Sequence, residues 1–305
     1  MKTKLDNSNI SIHLGQSSAY KSEYDSSLLV KEPRSNNRLH LNLSDDDLPF
    51  VGHDVWNAYE VSGLTDNGVP VTGFAKITYS CTNSHIVESK SLKLYFNTFN
   101  MTKLGRTPVD VLSSIEFMSA RDLTCLLDTP VTVNVYSSDT TCSATSYFDK
   151  YVTLERNVNM NDVVCDVYNE DETILKLSKG KAMTKSLYHS SLLKSNCRVT
   201  SQPDWGDVYI YMHSDQVVDE VSLLQYIVSF RDECHFHEEI CETIYKRLHD
   251  QMNMETDKLM VACLYVRRGG IDINPIRASH EELMNTRGIK HMFDDCRPFI
   301  KTSRQ

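Results

Sequence analysis

A chain of 305 residues, 40% hydrophobic and 24% charged with a formal net charge of −9, has the balance of a soluble globular protein. It is long enough for one large domain or two of ordinary size. The acidic excess repels phosphate backbones, so direct nucleic-acid binding is not expected. The first ten residues lack the apolar core of a signal peptide and no run approaches the ~18 apolar residues of a membrane span. The nine cysteines are odd in number with no C-x-x-C pair, which together predicts a cytoplasmic protein with reduced thiols.

Residues 1–47 are rich in Ser, Asn, Asp and charge, with anchors such as Leu14, Tyr20, Tyr24, Leu28, Leu29 and Leu41. By themselves they read as a tail or an extended arm. Residues 55–64 and 69–81 then alternate apolar and polar side chains around Asp66-Asn67-Gly68, a hairpin signal. A helical period over 88–103 puts Leu92, Tyr95 and Phe99 on one side. A second helix is predicted over 108–127, with Thr107 as N-cap and Pro108 in the first turn, and 130–136 returns to a strand. Polar runs over 137–180, broken by apolar stretches at 151–154 and 163–167, read as a connection with short strands of its own. Strands are next expected at 186–194 and 207–212, helices at 222–231 and 236–252, and a strand at 259–267. Strand, strand, helix, helix, strand therefore occurs twice, a repeat of architecture rather than of sequence, and the class is α+β.

Four stretches carry chemistry-bearing side chains. At 88–93, Glu88-Ser89-Lys90-Ser91-Leu92-Lys93 opens a predicted helix, whose free N–H groups and two lysines on one face suit a phosphate; a solvated basic face is the plainer reading. At 192–206, LLKSNCRVTSQPDWG holds Cys197 and Asp204. Asn196 favours one bend and Pro203 a second, which could bring a thiol and a carboxyl to one pocket mouth. A small buried cysteine beside an ordinary turn is the alternative. Phe236-His237-Glu238 lies among Cys234, His235, Glu239 and Cys241, a set of metal-ligand types. Cys234 and Cys241 stand seven apart and His235 and His237 face different ways, so no metal is expected. Last, Arg267-Arg268-Gly269-Gly270 sets cationic forks beside backbone that a phosphate can approach, or is a basic strand end at a tight turn. G-x-G-x-x-G, P-loop and G-x-S-x-G patterns are absent, so a dinucleotide here would depend on Lys and Arg contacts, a mode suited to the extra phosphate of NADPH.

In combination these motifs resemble the NADPH-dependent 7-cyano-7-deazaguanine reductases, the nitrile reductases of queuosine biosynthesis, in their long two-module form. The resemblance begins near Leu14, through LGQSSAYKSEYDSSLLVKEPRSNNR, and runs to the C-terminus. It implies two tandem tunnel-fold modules, each an antiparallel sheet with two helices packed on one face, similar more distantly to GTP cyclohydrolase type I. Residues 1–47 would pack along the body, 48–170 would form the N-terminal module with the connection, and 171–305 the C-terminal module. A homodimer is implied as well.

The same resemblance implies roles. Cys197 would be the covalent nucleophile and Asp204 the proton donor. Glu88, with the backbone of Val87 and Ser89, would bind the ring N–H groups of the deazaguanine. Phe236 would cover the base while His237 and Glu238 bind its edge, and Ser89, Lys90, Arg268 and Gly269 would contact NADPH. The nitrile would become an aminomethyl group at the expense of two NADPH through a cysteine thioimide, for tRNA modification. That chemistry asks for a low thiol pKa and an aspartate that can hold a proton. Arg198 stands where an apolar residue is usual and His235 where an acid is expected. Three alternatives are an amidine-forming cousin that adds ammonia, opposed by the intact ESKSLK run, a cysteine nitrilase needing no cofactor, and a silent binding module. The last would require loss of Cys197, Asp204 or Glu88, and all are present.

Overall fold

Strand pairing organises the backbone, which the computed structural model describes over residues 21, 23–140, 148–198, 200–286 and 289. The first half holds β1 (Lys31–Pro33), α1 (Ser35–Arg38), β2 (Val51–Thr65), β3 (Pro70–Ser80), β4 (His85–Val87), α2 (Ser89–Asn97), β5 (Lys103–Gly105), α3 (Pro108–Leu127) and β6 (Val131–Ser137). After it come β7 (Val152–Thr153), α4 (Leu154–Asn157), β8 (Leu177–Cys197), β9 (Pro203–Val218), α5 (Glu220–Val228), β10 (Cys234–His235), α6 (His237–His249), β11 (Lys258–Tyr265), β12 (Ile271–Ala278) and α7 (Glu281–Met284).

Among the described residues, ten strands form one sheet in the order β10-β8-β9-β11-β12-β2-β3-β6, with β5 on β2 and β7 on β8; β1 and β4 pair separately. The long pairs are antiparallel. The two halves meet where β12 runs against β2, from Ile271 opposite Ala58 to Ala278 opposite Val51, so main-chain hydrogen bonds weld them into a single surface. Helices cover one face in two groups. Leu223, Ile227, Ile240 and Ile244 of α5 and α6 pack on Val208, Ile210 and Val261, while α2 and α3 pack Leu92, Phe96, Ile115 and Leu123 on β2, β3 and β6. Alternation along β11 divides its side chains, Leu259, Val261 and Cys263 going to the first group and Met260, Ala262 and Leu264 to a third cluster with Ile276, Phe148 and Leu283. No helix among the described residues is long and apolar enough to cross a membrane.

Local chemistry explains the boundaries. The Thr107 side chain accepts the Asp110 N–H at 3.2 Å while Asp110 accepts the Thr107 N–H at 2.9 Å, a reciprocal cap that starts α3 where the sequence placed it. The helix expected over 88–103 stops at Asn97: Thr98 donates its hydroxyl to the Tyr95 carbonyl at 2.6 Å and the chain turns into β5. The stretch 163–167 forms no strand. β8 and β9 are longer than expected, and β12 was not anticipated, because every one of its residues is buried and it shows no alternation.

A buried ionic lattice ties the segment before β2 to the sheet. Arg34 pairs with Asp54 at 2.5 Å, Arg277 pairs with Asp54 and with Glu242 at 2.8 Å each, and Arg38 clasps both Glu242 oxygens at 2.9 and 2.8 Å. Charges this deep are tolerated only because each has an opposite partner and a directed hydrogen bond.

Candidate active site

Cys197 is the last residue of β8 and Asp204 the second of β9. Register sets Ser195 opposite Asp204 and Asn196 opposite Pro203, so both reactive groups sit at the closed end of one antiparallel hairpin. This corrects the expected bend at Asn196. Asn196 is extended, giving its N–H to the Glu233 carbonyl at 2.8 Å, and the reversal falls between Cys197 and Pro203, closed by the Cys197 N–H on the Gln202 carbonyl at 2.8 Å. Pro203 opens a strand instead of bending the chain, a position that spares the ladder its missing donor.

The hairpin end forms one wall of a cavity of about 490 Å³, within the range of small-molecule sites. Another wall is the start of α6, with Phe236, His237 and Glu238. A third is β4 and the start of α2, with Val87, Glu88, Ser89, Lys90 and Lys93, and the floor includes Trp56, Ile271 and Ile273. Arg268 and Gly269 close one end. The residues to which the resemblance assigns roles all line this cavity, while Cys234, Glu239, Cys241, Arg267 and Gly270 do not.

Asp204 is 4% exposed. Burial pushes its carboxyl up, but His237, with Nε2 at 3.4 Å, and Arg268, in a direct ion pair, together outweigh that and hold it below the usual carboxylate range. Arg268 also donates to Gln202 Oε1 at 2.6 Å and Thr200 Oγ1 at 3.3 Å. In the resting site the His237 and Arg268 contacts therefore favour the ionised form of Asp204.

Carboxylates of Glu88 and Glu238 differ in availability. Glu88 is the N-cap of α2, accepting the N–H of Lys90 at 2.9 Å and of Ser91 at 2.6 Å. Glu238 Oε1 is buried with no partner among the described residues, and its carboxyl is pushed up to about 7, by burial first and then by the Asp54 charge. An acceptor of this kind, poised between its two forms and facing a cavity, suits a ligand edge that brings its own N–H donors. His237 stacks on Tyr265, with ring centroids 3.9 Å apart and planes 16° from parallel; its Nδ1 is likewise buried without a partner among the described residues.

Arg198 and His235 are accounted for by one carboxylate. Arg198 clasps Glu239 with contacts of 2.9 and 2.8 Å, donates to Asn37 at 2.5 Å and lies over the Phe236 ring. His235 sits between Glu239 at 2.9 Å and Glu233 at 3.0 Å. Although burial opposes its charge, the two glutamates outweigh it and raise the imidazole to about 9. Cys241, one of the candidate metal ligands, points instead into the core toward the carbonyls of Val261 and Pro275. No group of three or more metal-ligating side chains occurs among the described residues.

The Arg-Gly-Gly run is a tight hairpin turn. Arg268 and Ile271 exchange backbone hydrogen bonds of 2.8 and 3.2 Å, and Gly269 and Gly270 have φ of 57° and 81°, the left-handed pair such a turn requires. A Cβ on Gly269 would stand 3.2 Å from Lys93 Nζ, so the bare backbone lets that ammonium lie against the turn. Lys93 is paired with Glu60 at 3.2 Å, and Lys90 has no carboxylate partner among the described residues. Lys90, Lys93 and Arg268 thus give one end of the cavity a cationic character that fits a dinucleotide phosphate. Trp56, Thr200, Gln202 and Glu60 were not foreseen. Trp56 Nε1 is a third buried polar atom at the cavity without a partner among the described residues.

Comparison with known proteins bears on this geometry. Residues 20–135 match the family model described as nitrile reductase, 7-cyano-7-deazaguanine-reductase N-term, and residues 203–284 match that of the QueF-like protein. The chain is 39% identical over 298 residues to the NADPH-dependent 7-cyano-7-deazaguanine reductase of Colwellia psychrerythraea, covering 96% of this chain and 95% of that one. It is 39% identical over 280 residues to the protein of the same name from Legionella pneumophila, covering 91% and 93%, and 36% identical over 279 residues to that of Dechloromonas aromatica, covering 91% and 94%.

Proposed function

The chain belongs to the family of NADPH-dependent 7-cyano-7-deazaguanine reductases, and from that membership we propose how its own residues carry out nitrile reduction. The observation that carries the proposal is the meeting of Cys197 and Asp204 at one hairpin end, with Arg268 paired to Asp204, beside a Glu238 carboxyl whose Oε1 has no partner among the described residues and a cationic cavity end.

The deazaguanine lies with its N–H edge toward Glu238 and Glu88 and the backbone of Val87 and Ser89, covered by the Phe236 ring. Cys197 Sγ then bonds to the nitrile carbon as one C–N π bond opens. The thiol's proton passes to the Asp204 carboxylate, which is free to accept it because it is ionised at rest, and from there to the nitrile nitrogen. Thiol plus nitrile become a thioimide with no atom left over. His237, touching Asp204 and stacked on Tyr265, holds the carboxyl in line for this transfer. Ser89, Lys90, Arg268 and Gly269 would hold NADPH, which when bound supplies one hydride to the thioimide and, in a second round, one to the imine. Cys197 would leave as thiolate between the two reductions and take one proton from solvent, and a second solvent proton would complete the amine nitrogen.

The fold is read as two tandem tunnel-fold modules, 48–170 and 171–305, with 1–47 along the body; the repeated strand, strand, helix, helix order supports this. A cytoplasmic homodimer making the amine for queuosine in tRNA is the arrangement of the long members of the family. The test is incubation of the purified chain with 7-cyano-7-deazaguanine and NADPH. Two NADPH consumed per nitrile, with a covalent mass adduct that Cys197→Ala abolishes, is the expected result. Ammonia release without NADPH consumption, or an adduct that survives the substitution, would overturn it.

A further inference from the structure

We propose that Arg268 is a positioning residue that controls when Asp204 can hold a proton: it neutralises the carboxylate in the structure as it stands, and a pyridine dinucleotide phosphate competes for the same guanidinium. The inference rests on the reading of Cys197 and Asp204 as the covalent and proton-transferring pair.

Geometry sets up the competition. The guanidinium spends one nitrogen on Asp204 and the other on Gln202 and Thr200, all on the catalytic hairpin, while its backbone belongs to the opposite turn. Its side chain is 35% exposed, so an anion in the cavity can reach it. The place where that anion would arrive is marked independently by the left-handed Gly269 and Gly270, whose bare backbone admits close approach, and by Lys93 against the same turn. A phosphate brings more charge and more acceptor atoms than one carboxylate, and a planar guanidinium matches both. Arg268 cannot satisfy its resting partners and a phosphate with the same N–H groups.

The response of Asp204 depends on the groups that face it. From α6 comes His237, from the turn Arg268, from β11 the buried Tyr265 phenol, and from β8 Cys197; Glu238 and Glu88 add carboxyls, and Lys90, Lys93 and His235 cations, around the same cavity. With Arg268 drawn off, the buried carboxyl keeps, of its two ion-pair contacts among the described residues, the one to the His237 ring at 3.4 Å. Burial, which already pushes Asp204 up, then meets less opposition. Asp204 becomes a better acceptor for the Cys197 proton when the reductant is in place, so thioimide formation is favoured in the complex that can reduce it.

The experiment tracks thioimide formation on wild-type protein by intact mass, as a rate against pH, with and without NADP⁺, which binds without donating hydride. NADP⁺ binding is measured by calorimetry in the same buffers. The acid limb of the profile should rise by about one pH unit with NADP⁺, the scale of losing one adjacent opposite charge. Arg268→Gln should show the raised limb without NADP⁺ and respond no further, and Arg268→Lys should restore part of the response. NADP⁺ that fails to bind, or binds and leaves the wild-type limb in place, overturns the proposal, as does an Arg268→Gln protein that responds like wild type. Absence of any adduct on wild-type Cys197 refutes the underlying reading of the site instead.

Discussion

His237 Nε2 lies 3.4 Å from Asp204 Oδ2, a contact between the first residue of α6 and the second of β9. The Tyr265 ring beneath the imidazole fixes its plane, so the carboxylate is aimed as well as charged. His237→Ala should slow adduct formation by on the order of 10²-fold, the lower range for a proton-transfer partner. Mass spectrometry of the adduct after timed quenching measures it. An unchanged rate would remove His237 from the transfer.

Glu238 supplies a pH prediction with a definite sign. Its carboxyl is raised to about 7, so below that pH it is mostly protonated and has lost acceptor capacity toward the ligand's N–H edge. Affinity for the deazaguanine should rise as pH increases through about 7 and level off above it. Calorimetry on the Cys197→Ala protein isolates binding from adduct formation, and Glu238→Gln should bind more weakly and flatten the curve. A flat wild-type curve would show that Glu238 does not meet the ligand.

The β2–β3 hairpin and α3 were legible because their signals are local: alternation around Asp66-Asn67-Gly68, and Thr107-Pro108 with Asp110 at a cap. β12 was hidden because it is buried on both sides and carries Asp272, Asn274, Pro275 and Arg277, residues that look like a loop until the lattice and hydrogen bonds that satisfy them are known. At the site, motifs identified the side chains but not their resting partners. Arg268 lies 64 residues from Asp204, and the Asp54 charge that helps to raise Glu238 comes from β2, so neither effect has a trace in local spacing.

Arg277 tests the buried lattice. It is fully buried and bonds Asp54 and Glu242 at 2.8 Å each, so Arg277→Met leaves two carboxylates short of a cation, at a cost of about 3–5 kcal/mol. Urea denaturation should show a matching fall in midpoint. Because Asp54 also acts on Glu238, the pH midpoint for ligand binding should move upward in any folded fraction. A loss below about 1 kcal/mol would mean that the lattice is not supporting the sheet junction.

His235 gives the last prediction, one of stability. Its imidazole is raised to about 9 from an ordinary 6.5, held by Glu233 and Glu239 against the opposing effect of burial. A raised basic group contributes stability that is fully present below the unfolded value and is lost as pH rises through the folded one, so the loss falls between about pH 6.5 and 9. The side chain is 19% exposed, which leaves a contribution on the order of 2 kcal/mol. Urea midpoints of wild type should therefore decline across that window more steeply than those of His235→Gln, which lacks the titrating proton. At about pH 10, above the folded value, the two curves should converge, because the neutral imidazole no longer offsets the paired charges of Glu233 and Glu239. Parallel curves would place the stabilisation in the Arg198–Glu239 clasp rather than in His235.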